Sequence, residues 1–220
     1  KVFQVDTPFR RKLFEDEVIH TQKVSQNPFC VHLITHFLED DWGFLVLELK
    51  YCDLLEFLQS QPHITEPQIK FIFTQLCKAV QHCHQLRIAH LDIKPENILI
   101  DEKYNVSLCD FGSSSLVSTR VRNRGSFLYK SPEARAETFF ADTSDDIWSL
   151  GVLLHVLAAG SFPYFGSDVA TINKNCANGI LDIREDLVSV ECFNLLREML
   201  NKNPDQRITI DEILEHPWIS

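Results

Sequence analysis

The chain has 220 residues, enough for one large domain or two small lobes, and 45% of them are hydrophobic, so disorder is not the default reading. Its 31 acidic and 21 basic residues give a formal net charge of -10, which argues against nucleic acid or an anionic membrane as partner, because phosphate surfaces are bound through clustered Lys and Arg. No apolar run approaches a membrane span, and the opening Lys1-Val2-Phe3-Gln4 shows neither a signal-peptide pattern nor an initiator Met. An intracellular location, cytoplasmic or nuclear, and a fragment of a longer protein are the expectations.

In chain order, residues 1–5 read as a strand, residues 11–24 as a helix, and residues 31–37 and 44–49 as two strands rich in β-branched and aromatic side chains. Near Tyr51 the periodicity changes to mostly helical. Ile69, Ile72, Phe73, Leu76, Cys77 and Val80 recur at three- and four-residue spacing behind a Thr65/Gln68 capping box, which predicts a helix with a core-facing stripe. His82-Cys83-His84 resembles a ligand cluster, but consecutive residues on a helix point in different directions and cannot converge on a metal. The seven cysteines are odd in number and form no Cys-x-x-Cys pair, so reduced thiols are expected. Residues 146–159 are apolar nearly all round and stop at Gly160, which predicts a buried helix forming the axis of the larger lobe. Thr209 and Glu212 form a second capping box for a short helix that the His216-Pro217 step ends.

Between the helices, residues 97–101 and 106–110 read as two short strands joined by the polar residues 102–105, a hairpin. Pairing symmetric about that connection sets Asp101 opposite Val106 and Asn97 opposite Asp110, so an amide oxygen and a carboxylate would converge at the open end. Such oxygens suit Mg²⁺, which takes its other ligands from water and phosphate. Just upstream lie Asp92 and Lys94, an acceptor and a cation two residues apart, on a chain stiffened by Pro95. Together they fit phosphoryl transfer, with Asp92 accepting a hydroxyl proton and Lys94 steadying the transferred phosphate.

The run His90-Leu91-Asp92-Ile93-Lys94-Pro95-Glu96-Asn97, followed by Asp110-Phe111-Gly112, closely resembles the catalytic loop and magnesium-binding motif of eukaryotic-type protein kinases. The likeness continues through Gly125-Ser126-Phe127-Leu128-Tyr129-Lys130-Ser131-Pro132-Glu133, which looks like the end of an activation segment with Ser131 where the family usually has Ala. Residues 146–151 match the family's buried helix, and Arg207 stands where the family pairs an Arg with the Glu of the Pro-Glu step, here Glu133. The resemblance implies an α+β, two-lobed kinase fold, with an incomplete β-rich N-terminal lobe and hinge over residues 1–50 and a helical C-terminal lobe over 51–220. It further implies ATP and Mg as cofactors, with Asn97 and Asp110 as metal ligands and Asp92 and Lys94 as catalytic residues. Lys94 and Ser126 resemble the serine/threonine-specific class, and the ending His216-Pro217-Trp218-Ile219 is similar to the calcium/calmodulin-dependent group.

On the N-terminal side the resemblance makes Lys1 the lysine for the α- and β-phosphates. Its partner is Glu17, with Glu15 as competitor, and Glu17 puts Thr21 where the family commonly keeps an apolar residue. Leu47 takes the gatekeeper position, Glu48-Leu49-Lys50 the hinge, Leu99 the floor beneath adenine and Asp53 a ribose contact, although core packing alone also accounts for Leu47 and Leu99. Two departures stand out. Leu91 replaces the Arg that receives an activation-loop phosphate, so activity should not depend strictly on phosphorylation at Ser118 or Thr119. No Gly-x-Gly-x-x-Gly loop occurs in the chain, so the first strand is expected to have an unpaired edge and the chain to bind ATP weakly, and a catalytically weak pseudokinase or scaffold is the alternative reading. Glu96 and Asp53 resemble positions that read basic residues ahead of the target hydroxyl.

Overall fold

The structure, a computed structural model, describes residues 1–61, 63–183 and 186–220. β1 (Val2–Gln4), α1 (Pro8–Val24), β2 (Leu33–Glu39) and β3 (Trp42–Leu47) make the first part, with the strands in one antiparallel sheet of order β1-β3-β2. Thr7 caps α1 by accepting the Arg10 N–H, and Pro8 occupies the first turn, where a missing N–H costs nothing. One face of α1 is buried through Phe14, Glu17, Val18, Thr21 and Val24, and Phe14 and Val18 share a small apolar core with Leu45 of the sheet and with Val5, which follows β1.

Both strands after α1 are displaced from residues 31–37 and 44–49. Asp40, at φ 48°, and Asp41 form the turn that pairs Glu39 with Trp42, which draws Trp42 and Gly43 into β3. Val31 instead donates to Leu108 O at 2.9 Å, tying the segment before β2 to the larger part of the molecule.

The chain continues through β4 (Cys52–Asp53), α2 (Leu54–Ser60), α3 (Glu66–Gln85), β5 (Ile88–Ala89), β6 (Ile98–Ile100), β7 (Val106–Leu108), β8 (Ser115–Leu116), β9 (Arg120–Arg122), β10 (Thr138–Phe140), α4 (Thr143–Ala159), α5 (Val169–Asn178), α6 (Val190–Met199) and α7 (Ile210–Glu215). α3 opens where Gln68 Oε1 accepts the Thr65 N–H at 2.8 Å. α4 is buried on almost every side and ends at Gly160, whose φ of 66° suits a helix stop. Its Trp148, Leu150, Leu153 and Leu154 pack in one core with Phe73 and Leu76 of α3 and Leu195 and Met199 of α6. The fold is thus α+β, with small sheets and a mainly helical body. Cys83 is buried and His84 turns to Asp146, with Nε2 2.9 Å from Oδ2. Among the described residues no helix is long and apolar enough to cross a membrane.

The hairpin register differs by one from the symmetric pairing. Ile98 faces Leu108, Leu99 faces Ser107 and Ile100 faces Val106, and Cys109 N donates to Asn97 O at 2.9 Å. Asn97 therefore lies opposite Cys109, not Asp110. The cause is the loop: Asp101 pairs with Asn105 instead of Val106, its carboxylate accepts the Lys103 and Asn105 N–H groups, and Tyr104 takes φ 63°. A three-residue loop with a left-handed last residue is a standard hairpin closure.

Candidate active site

The catalytic-loop segment leaves β5 and is fixed from inside by α4. Asp146, in the first turn of that helix and fully buried, accepts the His90 N–H on Oδ2 and the Leu91 N–H on Oδ1, both at 2.8 Å. These bonds hold Leu91 at φ 65°, a left-handed conformation costing a branched residue about 1–2 kcal/mol. The buried His90 imidazole places Nε2 3.0 Å from Cys109 O, linking the loop to the end of β7, and meets Phe111 edge-on at 4.9 Å.

Asp92 follows with its carboxylate oriented on several sides. Oδ1 accepts the Ser126 N–H at 2.8 Å, Oδ2 accepts from Asn97 Nδ2 at 3.1 Å, and Lys94 Nζ lies 3.4 Å from Oδ2 while donating to Ser126 Oγ at 2.8 Å. Asn97 closes a short 3₁₀ turn over Pro95–Asn97, and its amide nitrogen also donates to Asp92 O at 2.8 Å. With the nitrogen so committed, the amide oxygen turns the other way.

Lys1, Glu17 and Asp110 form a chain of charges. Lys1 Nζ lies 2.8 Å from Glu17 Oε1 and 2.6 Å from Asp110 Oδ1. Burial pulls against the Lys1 ammonium, yet Glu17 and Asp110 hold its pKa above the usual lysine range. Burial raises the Glu17 carboxyl, with Lys1 opposing, whereas for Asp110 the Lys1 ammonium and the Gly112 N–H outweigh burial and lower the carboxyl. Glu15 faces solvent and pairs with Arg11 at 3.4 Å. Gly112 leaves room for this pair, because a Cβ there would come within 2.9 Å of Glu17 Oε2 and 3.1 Å of Asp110 Oδ1 and make the carboxylates shift. Both Asp110 contacts fall on Oδ1, leaving Oδ2, and the Asn97 oxygen is a second hard donor, so the pair fits a hard divalent cation that completes its shell with water and phosphate.

On the opposite flank, Leu47 touches the main core, and Glu48 spends its N–H on His32 O while its carboxylate accepts the His32 N–H and pairs with Lys50 at 3.1 Å. Asp53 faces Leu99 across β4 and β6, and its Oδ1 caps α2 at Glu56 N, 2.8 Å away.

The activation-segment residues 113–133 lie over this centre. β9 pairs with β10, and Leu91 is buried with Ala89, Val121, Ala134, Phe139 and Ala141 in an apolar cluster. Gly125, at φ 78°, allows the close pass: a Cβ would sit 2.1 Å from Leu91 O. Arg124 Nη1 donates to Gly112 O at 2.7 Å, and His20 Nδ1 lies 2.7 Å from Ser114 Oγ. Beneath, Ser131 Oγ donates to Asp145 Oδ1 at 2.5 Å and Ser149 Oγ to Tyr129 O at 2.8 Å. Burial, with Glu133 and Asp146 adding to it, pushes the Asp145 carboxyl up to about 7. Glu133 receives Arg207 on both oxygens, at 2.7 and 3.2 Å.

Sequence reasoning did not single out Asp146, Asp145 or Arg124 as parts of the site. Acidic residues opening an otherwise apolar helix were the available signal for the first two, since a buried carboxylate at a helix start needs donors to hold. Arg124 left none, because its acceptor is a backbone carbonyl.

Residues 4–219 match the family described as the protein kinase domain. The probable serine/threonine-protein kinase MARK-A of Dictyostelium discoideum is 30% identical over 100% of this chain and 20% of its own length. The carbon catabolite-derepressing protein kinase of Secale cereale is 36% identical over 80% of this chain and 36% of its own, and serine/threonine protein kinase OSK3 of Oryza sativa subsp. indica is 34% identical over 80% and 35%. The chain thus spans a fifth to about a third of the length of these relatives. It belongs to the protein kinase domain family, among the serine/threonine kinase catalytic domains.

Proposed function

We propose that the chain transfers the γ-phosphate of ATP to Ser and Thr hydroxyls of protein substrates, inside the cell. The observation that carries this reading is the disposition of Asp92, whose two carboxylate oxygens are fixed by Ser126 N–H, Asn97 and Lys94. A substrate hydroxyl placed beside Ser126 would give its proton to Asp92 as the oxygen attacks phosphorus, and Lys94 would steady the moving phosphoryl group. Lys1, held by Glu17, would grip the α- and β-phosphates. A magnesium ion on Asn97 and Asp110 would supply neutralisation of phosphate charge.

Adenine would stack between Leu47 and Leu99, with the Glu48 to Lys50 backbone meeting its edge and Asp53 Oδ2 the ribose. The seven described cysteines are all unpaired, which supports a reducing compartment. Glu96 and Asp53 favour substrates with basic residues ahead of the target hydroxyl. Incubation with ATP, Mg²⁺ and a panel of Ser and Thr peptides tests the reading. Phosphopeptide should form, and Asp92→Asn should cut kcat by about 10²–10⁴; no transfer by the unaltered chain, or an Asp92→Asn variant of equal rate, would refute it.

A further inference from the structure

Two cations beside the reaction centre lack an anion. Lys130 ends the turn that begins at Ser126, and its Nζ donates to the neutral Asn123 Oδ1 at 3.1 Å. Its Cε lies 3.8 Å from where a Gly125 Cβ would stand, and Leu91 O, one residue before Asp92, lies 2.1 Å from the same point. Arg135 approaches from the other side. Its guanidinium is stacked on Phe127 at 4.7 Å and near Tyr164 at 5.5 Å, and Nη1 donates to Asn173 Oδ1 at 2.8 Å. Nε and Nη2 of Arg135 are buried and meet no well-aligned acceptor among the described residues, although the Tyr164 hydroxyl lies within reach of the guanidinium.

This arrangement is costly. Buried donors left unpaired cost about 1–3 kcal/mol, and like charges repel. Burial first, and the Arg135 charge second, lower the Lys130 ammonium below the ordinary lysine range, with Asp92 opposing. The chain has 31 carboxylates for 21 Lys and Arg, yet no ion pair with a carboxylate forms at Lys130 or Arg135 among the described residues. The aromatic rings relieve Arg135 in part, but they leave Lys130, whose ammonium is within electrostatic reach of the Asp92 carboxylate.

We propose that Lys130, backed by the field of Arg135, is a specificity-determining residue that binds an Asp or Glu side chain lying within two positions of the Ser or Thr to be modified. The inference rests on the reading of the chain as a protein kinase and names its substrate class more closely. A substrate carboxylate would accept from the Lys130 ammonium and offset one of the two positive charges, giving a charge-assisted contact in a half-buried setting. Such recognition would act together with basic residues farther along the peptide.

The test uses fluorescein-labelled Ser peptides of constant basic background, with Asp, Ala or Lys placed in turn at each of the two positions on either side of the Ser. Dissociation constants come from anisotropy, and kcat/KM from phosphate transfer. At one position or more, Asp should bind about tenfold tighter than Ala, a contribution of about 1.4 kcal/mol, and Lys more weakly than Ala. Lys130→Glu should reverse the order so that Lys is preferred over Asp. Lys130→Met should bind the Asp and Ala peptides alike, which covers the case in which Lys130→Glu does not fold. An Asp gain below threefold at every position overturns the inference, as does an Asp preference that survives in either variant. An Asp preference in binding with no phosphate transferred would uphold the cationic site and sink the kinase reading instead.

Discussion

The catalytic loop and the activation segment lie against each other but are held by different forces. The loop hangs from the fully buried carboxylate of Asp146 through two backbone N–H groups, and His84 of α3 steadies that carboxylate. The segment is pinned by apolar contact around Leu91, Val121 and Phe139, by Arg124 on Gly112 O, and at its rim by Arg122 and Glu137, whose side chains are 76% and 72% exposed. Bonds of the first kind are strong because the alternative is a buried group with no partner; pairs of the second kind compete with water and salt. The loop should therefore stay the stiffer of the two as salt is varied, and the segment adjustable.

Breaking the loop's support should have the largest effect. Asp146→Ala leaves the His90 and Leu91 N–H groups unpaired in the core, and about 3–5 kcal/mol of stability should be lost in urea denaturation. A loss below 1 kcal/mol would erase the contrast drawn above. Next comes Asp145, which anchors the end of the segment to α4 through Ser131. Folding raises this carboxyl from 3.8 to about 7, so the folded chain binds the proton more tightly than the unfolded one. Its contribution is complete below pH 4, declines as pH rises, and is gone above pH 7, a fall of roughly 4 kcal/mol. Asp145→Asn should flatten that part of the stability-versus-pH curve, and an unchanged slope would move the titration elsewhere.

At the rim, Glu137→Gln should cost no more than about 0.5 kcal/mol, and the difference should vanish in 1 M salt. The smallest effect is expected where Leu91 stands. Because an apolar cluster occupies the place of a phosphate clamp, replacing Ser118 and Thr119 together by Ala should change kcat/KM less than about twofold. A hundredfold drop would show that charge, not packing, orders the segment.

Much of the fold and of the candidate site is legible in the sequence. Asp92, Lys94, Asn97 and Asp110 carry functional group types in a fixed order, and order is what a sequence records. Helices α3, α4 and α7 announced themselves through apolar spacing and capping residues, because both are local. The hairpin register was not legible, since it turned on whether Asp101 closes the loop or joins the strand, a choice made by its bonds to Lys103 and Asn105. Nor were the true ends of β2 and β3, where Val31 answers to Leu108, far along the chain. Asp146 was visible as a residue but not as a support, because its partners stand 55 and 56 positions away.

That separation has a kinetic side. Contacts between distant positions form only after a large stretch of chain has been closed into a loop, and they come late in folding. Leu91 would not hold its left-handed backbone, nor Asp92 its aim, until α4 had docked and brought Asp146 beneath them. The motif from His90 to Asn97 is thus complete as text long before it is complete as a site, and an intermediate lacking the α4 contact would carry every residue of the motif with none of the geometry.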